Sequence, residues 1–180
     1  MVVREARRRA RLLVGATALG AGSLALAAGT TLHAAWCLGL GSLGPVRAGM
    51  PVEQVLPLAD FPGLERSQAP GACWYLRYRA AGADFDLMII DGRVARIELN
   101  GSSRLHTFSG AAIGSSEEQL HRLYGVRLEV QPSKYDPAGH TLTYRSSGGD
   151  FGLRFETSQG KVVAIQSAAW EHLHYVEGCG

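Results

Sequence analysis

The chain has 180 residues, of which 46% are hydrophobic and 19% charged, and carries a formal net charge of +2. This is a globular composition, with room for one domain of average size or two small ones. Five arginines and one glutamate fall within Met1–Arg11, so thirteen basic residues face fifteen acidic ones beyond it. The folded part is therefore slightly acidic, and it lacks the basic footprint that excludes or admits nucleic acid as a partner; nucleic acid is excluded.

The N-terminus has a basic head, REARRRAR, followed by an uncharged run from Leu12 to Leu32 rich in Leu, Ala and Gly. That is the layout of an export signal, and it places the protein outside the cytoplasm, in the periplasm or secreted. Cleavage fits after Ala27, where Ala25-Leu26-Ala27 has the small-x-small form, or near Ala34 and Ala35. Retained, residues 12–32 give about twenty apolar residues at about 1.5 Å each, just enough to span a bilayer, with the arginines holding the N-terminus inside. Residues 1–36 are thus a signal or an anchor, and the membrane is a partner only if the segment stays uncleaved. Arg11 stands where a twin-arginine signal wants an apolar residue, and Trp36 precedes Cys37 where a lipobox needs a small one.

Residues 37–44 are glycine-rich and read as a linker. A first unit, 45–106, begins with a short strand at Pro45-Val46-Arg47. A helix starting at Pro51 then places Val52, Val55 and Leu56 on one side, and Pro57 keeps it short, since an interior proline costs about 3 kcal/mol. An irregular stretch, Phe61 to Gly71, leads to a strand at Cys73–Tyr78.

FDLMIIDGRVARI, Phe85 to Ile97, then reads as a β-hairpin. A two-residue Asp91-Gly92 turn would set Leu87 opposite Arg96, a charge in the apolar face. A three-residue loop, Ile90-Asp91-Gly92 with Gly92 left-handed, instead pairs Phe85 with Ile97, Leu87 with Ala95 and Asp86 with Arg96. Asn100-Gly101-Ser102 matches a glycosylation sequon, but the Ala-, Gly- and Arg-rich make-up and the short leader read as bacterial, so it is taken as a strand-end turn.

A second unit, 107–180, repeats these features. IGSSEEQLHRL, Ile113 to Leu123, lies over AGMPVEQVLPL, Ala48 to Leu58, matching Gly114 with Gly49, Glu118 with Glu53 and Gln119 with Gln54. Ser115 and Glu118 form a capping box, Leu120, Leu123 and Tyr124 an apolar stripe, and Gly125 a stop. Strands follow at Val126–Val130 and Thr141–Arg145 around the loop QPSKYDPAGH. FGLRFETSQGKVVAI, Phe151 to Ile165, is the second hairpin, with a longer loop that pairs Phe151 with Ile165 and Leu153 with Val163. The tail alternates Leu173 and Tyr175 with His172, His174 and Val176 and reads as a last strand closing the sheet. The expected fold is α+β: two tandem repeats, each a short helix packed on an antiparallel meander sheet.

VRAGMPVEQVL, a short strand, Gly-Met and a helix with a Gln-Val pair ahead of an antiparallel sheet, resembles the module of the SmpA/OmlA (BamE-like) envelope lipoproteins. Two units in tandem resemble the β-lactamase-inhibitor-protein (BLIP-like) architecture. The resemblance covers Gly44 to Ala168; Pro51 stands where the module has Thr or Ser, and Ser115 replaces the Met in the second unit. It implies a non-enzymatic extracytoplasmic protein that binds another envelope or secreted protein.

Three cysteines in an exported chain suggest one disulfide and an odd thiol. Cys37 lies in the leader or linker, leaving Cys73 and Cys179 as the pair, which would tie the tail to the first unit. His172 and His174 on one strand face, with His140 or His106, could bind zinc, although the spacing matches no metal motif. Lys134, Tyr135, Asp136 and His140 make the most chemically varied loop. It is read as a contact surface, or as an ordered loop packing its own side chains; an acid–base site of Tyr135, His140 and Glu177 is the catalytic alternative. No nucleophile elbow, zinc helix, Cys-x-x-Cys pair, phosphate loop or dinucleotide turn occurs, and no cofactor is implied. The function expected is protein binding or envelope assembly. The alternatives are an inhibitor of a secreted or periplasmic hydrolase, and a small metal-dependent or acid–base hydrolase.

Overall fold

The computed structural model describes residues 36–67, 71–80, 82–175 and 178–179. The leader expected over 1–36 thus lies outside the described residues except for Trp36, as does Glu177. Within them the protein is α+β and rich in sheet. Strands β1 (Cys37–Gly39), β2 (Ser42–Leu43) and β3 (Val46–Arg47) precede helix α1 (Val52–Val55). Then come β4 (Glu65–Arg66), β5 (Cys73–Tyr78), β6 (Phe85–Ile90), β7 (Arg93–Asn100), β8 (His106–Thr107) and α2 (Glu117–Tyr124). A 3-10 turn at Gly125–Arg127 leads into β9 (Leu128–Pro132), β10 (His140–Arg145), β11 (Phe151–Ser158), β12 (Lys161–Ala169) and α3 (Trp170–Leu173).

Eight strands form one antiparallel sheet in the order β4-β5-β6-β7-β12-β11-β10-β9, and four form a smaller sheet, β3-β2-β1-β8. Because side chains alternate along a strand, register assigns each row of the large sheet to one face. One row reads Tyr78, Phe85, Leu99, Ile165, Phe155, Leu142 and Val130 across β5 to β9. Its neighbour reads Arg77, Asp86, Glu98, Gln166, Arg154, Thr143 and Glu129. The apolar face carries the core: Val52 and Val55 of α1, Leu120 and Tyr124 of α2, and Leu38, Leu43 and Val46 of the small sheet are all buried against it. Phe61 fills the space over β5 and β6, with ring centroids 5.5 Å from Tyr78 and 5.3 Å from Phe85. Tyr124 does the same over β11, 5.3 Å from Phe155.

Both hairpins turn differently from expectation. Asp91 and Gly92 have φ of 48° and 74°, and Gln159 and Gly160 have 50° and 73°. Positive φ at both central residues is the geometry whose twist matches paired strands, and the two-residue turns pair Ile90 with Arg93 and Ser158 with Lys161. The charge that this register would drive into the core is avoided by a bulge. Ile89 pairs with Val94 and Met88 with Arg96, leaving Ala95 as the extra residue, so that Leu87 meets Ile97. The second hairpin repeats the device at Val163, so that Phe155, not Phe151, meets Ile165 and Leu153 meets Ser167. In the second hairpin the leading strand β11 is longer than β6, not the loop.

The same three backbone hydrogen bonds tie each hairpin to the segment before its helix. Gly49 N–H donates to Val94 O (2.7 Å), Val94 N–H to Met50 O (2.9 Å) and Val52 N–H to Gly92 O (2.8 Å). Gly114 donates to Val162 O (2.8 Å), Val162 to Ser115 O (2.9 Å) and Glu117 to Gly160 O (3.2 Å). This bonding shifts the α2 cap. Ser115 is engaged by β12 and its hydroxyl accepts from Ala112 N–H, so the cap is Ser116, whose hydroxyl accepts from Gln119 N–H at 3.1 Å.

Two further expectations are corrected. Residues 37–44, read as a linker, form β1 and β2, because Gly41 supplies a left-handed turn at φ 69° and the Ser167 hydroxyl, 2.6 Å from Gly39 O and 2.7 Å from Gly41 N, pins them to β12. Over the described residues 170–175 the tail is not a strand: Leu173 is buried and packs on Gly152, where any β-carbon would meet its Cδ2 at 2.7 Å. Leu173 is the buried residue of α3. The disulfide Cys73–Cys179 is present and joins the tail to the start of β5.

Candidate functional site

The polar face of the large sheet is covered at one end by α3 and the tail. Arg96 is only 2% exposed there. Its Nη2 lies 2.7 Å from Glu98 Oε1, its Nε donates to the same oxygen at 2.8 Å, and its Nη1 donates to Tyr175 O at 2.5 Å. Asp86 sits directly opposite Glu98, a like-charge pair that destabilises a sheet, and each carboxylate has its own arginine: Arg79 Nη2 reaches Asp86 at 2.5 Å. Burial and the Glu98 carboxylate both push the Tyr75 hydroxyl above its ordinary value.

At the other end, the polar face lies open beside the loop 133–139. That loop is held by its own short polar side chains. Ser133 Oγ accepts from the N–H groups of Tyr135 and Asp136, Asp136 Oδ1 accepts from Ala138 N–H at 2.8 Å, and Gly139 N–H closes on Asp136 O at 2.9 Å. Hydrogen bonds from Ser158 and from Ala138 N–H hold the Asp136 carboxyl below its usual range. Gly139 is required: a β-carbon would come 2.2 Å from Thr157 O. Tyr135 projects from the rigid loop, 62% exposed, with Lys134 Nζ 5.1 Å from its ring centroid.

His140 opens β10 and turns toward α2, its Nδ1 2.9 Å from Glu117 Oε1. The buried Thr157 hydroxyl donates to the same oxygen at 2.5 Å. Burial raises the Glu117 pKa, but the bonds from Thr157 and His140 outweigh it and the net shift is downward. The cluster clamps α2 to β10 and β11. It aims no hydroxyl at the His140 ring, since the Thr157 hydroxyl donates to Glu117 and meets only the His140 backbone, accepting from its N–H, so it lacks the nucleophile–base contact of hydrolytic triads.

Of the residues singled out by sequence, Lys134 and Tyr135 therefore form the exposed tip, Asp136 braces the loop, and His140 belongs to the neighbouring clamp. Glu177, the third member of the acid–base alternative, lies outside the described residues. His172 and His174 do not share a strand face. His172 stacks on Tyr175 with centroids 5.8 Å apart, while His174 meets Trp170 edge-on at 4.6 Å. His106 lies against Cys37, 3.6 Å from its Sγ. Among the described residues no three His, Cys, Asp or Glu side chains converge to hold a metal ion.

Sequence reading missed Glu117, Thr157, Arg154 and Glu156. Arg154 and Glu156 carried a signal, since they alternate with Leu153 and Phe155 and had to share the polar face. Arg154 Nε and Nη2 both lie 2.6 Å from Glu156 Oε1.

No family model and no curated protein matches the chain. Among solved structures the chain is similar to a cysteine-rich secretory protein from Staphylococcus aureus subsp. aureus Mu50, at 10% identity and a TM-score of 0.47. The likeness covers 73% of this chain and 47% of that one, so the chain spans about half the length of that structure.

Proposed function

We propose that this is a non-enzymatic, extracytoplasmic protein-binding module of two tandem units, which contacts its partner with the open end of the polar sheet face and the tip of loop 133–139. The observation that carries the reading is the pairing of a rigid, internally hydrogen-bonded loop with a projecting Tyr135 beside its cation. Tyrosine on a pre-organised backbone loses little entropy on contact and is enriched among residues that dominate binding energy. A sheet face of neutral and charge-paired side chains, one end bare of helices, suits a wet, specific interface.

The tandem reading is supported by the recurrence of the three hairpin-to-helix hydrogen bonds and of the bulge in each hairpin, and by the element order, strand, helix and four strands, from β3 to β7 and again from β8 to β12. The extracytoplasmic reading is supported by the Cys73–Cys179 disulfide, which persists in oxidising compartments, and by the leader-like N-terminus. No helix among the described residues is long and apolar enough to cross a membrane.

The test is capture of the tagged full chain from its own envelope after mild cross-linking, followed by mass spectrometry, with Lys134→Ala, Tyr135→Ala and His140→Ala in parallel. One stoichiometric partner, diminished by the first two substitutions, is expected. Capture unaffected by all three would remove the loop from the interface.

A further inference from the structure

Helix α1 ends at Val55, and the chain continues as an irregular loop, LPLADFPGL, from Leu56 to Leu64. Leu56, Pro57, Ala59, Pro62 and Gly63 are exposed, Leu56 by 55%, while Leu58 and Leu64 are half-buried against the core. Asp60 is the one charged residue among the nine. In the second unit the matching stretch, His121 to Glu129, carries Arg122, Arg127 and Glu129. The first unit thus presents an apolar surface where the second presents charge. We propose that loop 56–64 lies on the outer surface of the membrane in which residues 12–32 remain as an anchor, so that lipid covers it. The proposal does not depend on the protein-binding reading.

The path of the chain decides the occupant. The ring centroid of Trp36, the first described residue, lies 4.9 Å from that of Phe61 in the middle of the loop. Gly44 closes on the same indole, where a β-carbon would meet the ring at 2.9 Å. Trp36 is therefore fixed to the domain, and fixed beside this loop. Only His33, Ala34 and Ala35 separate it from Leu32, the end of the uncharged segment. Four links of fully extended chain reach about 14 Å at most. With residues 12–32 across the bilayer, Trp36 stays within that distance of the hydrocarbon edge, and the headgroup layer fills about 5 to 7 Å of it. The loop attached to Trp36 is held at the same level. A surface of leucine, proline and alanine gains there by leaving water, and tryptophan is enriched at that depth. The charges that flank the loop, Glu53 before it and Glu65 and Arg66 after it, are exposed and keep their contact with water.

The same placement orients the domain. Phe61 packs over β5 and β6, whereas loop 133–139 leads into β10. Five strand spacings separate β5 from β10 in the sheet, about 24 Å at about 4.8 Å each. With lipid at the first end, Tyr135 stands clear of the membrane at the other.

The test uses the full chain, residues 1–36 included, in vesicles of phosphatidylcholine and phosphatidylglycerol. Leu56→Cys, Ala59→Cys, Val126→Cys and Tyr135→Cys are made one at a time in a Cys37→Ser background, and each carries a nitroxide. Collisions of the label with oxygen, which concentrates in lipid, and with a water-soluble nickel chelate report its depth. Val126 is fully exposed and apolar, and Tyr135 is 62% exposed, so both serve as references in water. Labels at 56 and 59 should collide severalfold less with the chelate than those at 126 and 135, with oxygen collisions no lower. Chelate access at 56 and 59 equal to that at 126 and 135 would overturn the proposal. Protection from chelate and oxygen alike would mean that protein covers the loop, and would overturn it too. The chain isolated from its own envelope should keep residues 12–32; a mature N-terminus following Ala27, Ala34 or Ala35 would overturn the anchor and with it the proposal.

Discussion

Glu98 stands directly opposite Gln166 where β7 meets β12, and each lies six residues beyond the glycine of its own hairpin turn. The seam of the eight-stranded sheet is therefore built from matching positions of the two hairpins running antiparallel. One carries a carboxylate that neutralises buried Arg96; the other is neutral, so no second carboxylate faces Glu98 across the seam. Glu98→Gln should leave Arg96 buried without its counter-charge. Removing one member of a buried pair costs about 3 to 5 kcal/mol, and urea unfolding should show a loss near the low end because Tyr175 O still accepts from Arg96.

The Cys73–Cys179 bond closes a separation of 106 residues. The chain-entropy model assigns such a loop about 4 to 5 kcal/mol, an upper figure for most proteins. The Cys73→Ala/Cys179→Ala double variant should therefore lose about 3 kcal/mol or more in urea unfolding, and reducing agent should lower the native melting temperature but leave that of the variant unchanged.

Glu117 titrates below its ordinary value in the folded chain because Thr157 and His140 hydrogen-bond to its carboxylate. A depressed folded pKa gives stability that is complete above the unfolded pKa of about 4.5 and is lost as pH falls through the folded value. Glu117→Gln should destabilise the protein by about 1.5 to 3 kcal/mol at pH 7, the range for hydrogen bonds to charged groups. The difference from native should shrink as unfolding is measured from pH 6 down to pH 3.

Gly152 gives α3 its seat. A methyl group there would come 2.7 Å from Leu173 Cδ2, 2.8 Å from Tyr144 O and 3.0 Å from Trp170 Cε3. Gly152→Ala should cost about 1 to 3 kcal/mol, as overpacking does. It should also raise hydrogen exchange over 170–175 more than in β6 or β7.

Much of this fold was legible because it is periodic. Alternation along Phe85–Ile90 and Phe151–Ser158 defined the apolar face, the helical stripe and glycine stop located α2, and cysteine position gave the disulfide. The bulges were not legible: Ala95 and Val163 share no chemical signature, and a bulge is set by the mismatch between turn twist and side-chain phase, not by the residue inserted. β1 and β2 were hidden because two- and three-residue strands among glycines depend on Ser167, more than 120 residues away. The tail misled for a similar reason. Alternation in Leu173–Tyr175 suggested a strand, but Gly152, distant in sequence, decided where Leu173 packs. At the site, Lys134 and Tyr135 stood out by composition. Glu117 lies one residue from the expected cap partner, and its bond to His140 needed the fold to bring α2 and β10 together.

The central claim is that Tyr135 and Lys134 form part of a protein-binding surface. Its most direct test is the affinity of the full chain for the partner recovered by cross-linking, compared between the native chain and Lys134→Ala/Tyr135→Ala at matched melting temperature. Loss of a tyrosine that anchors an interface costs about 2 kcal/mol or more, so affinity should fall on the order of thirtyfold. A partner held equally by both chains, or no stoichiometric partner at all, would contradict the account.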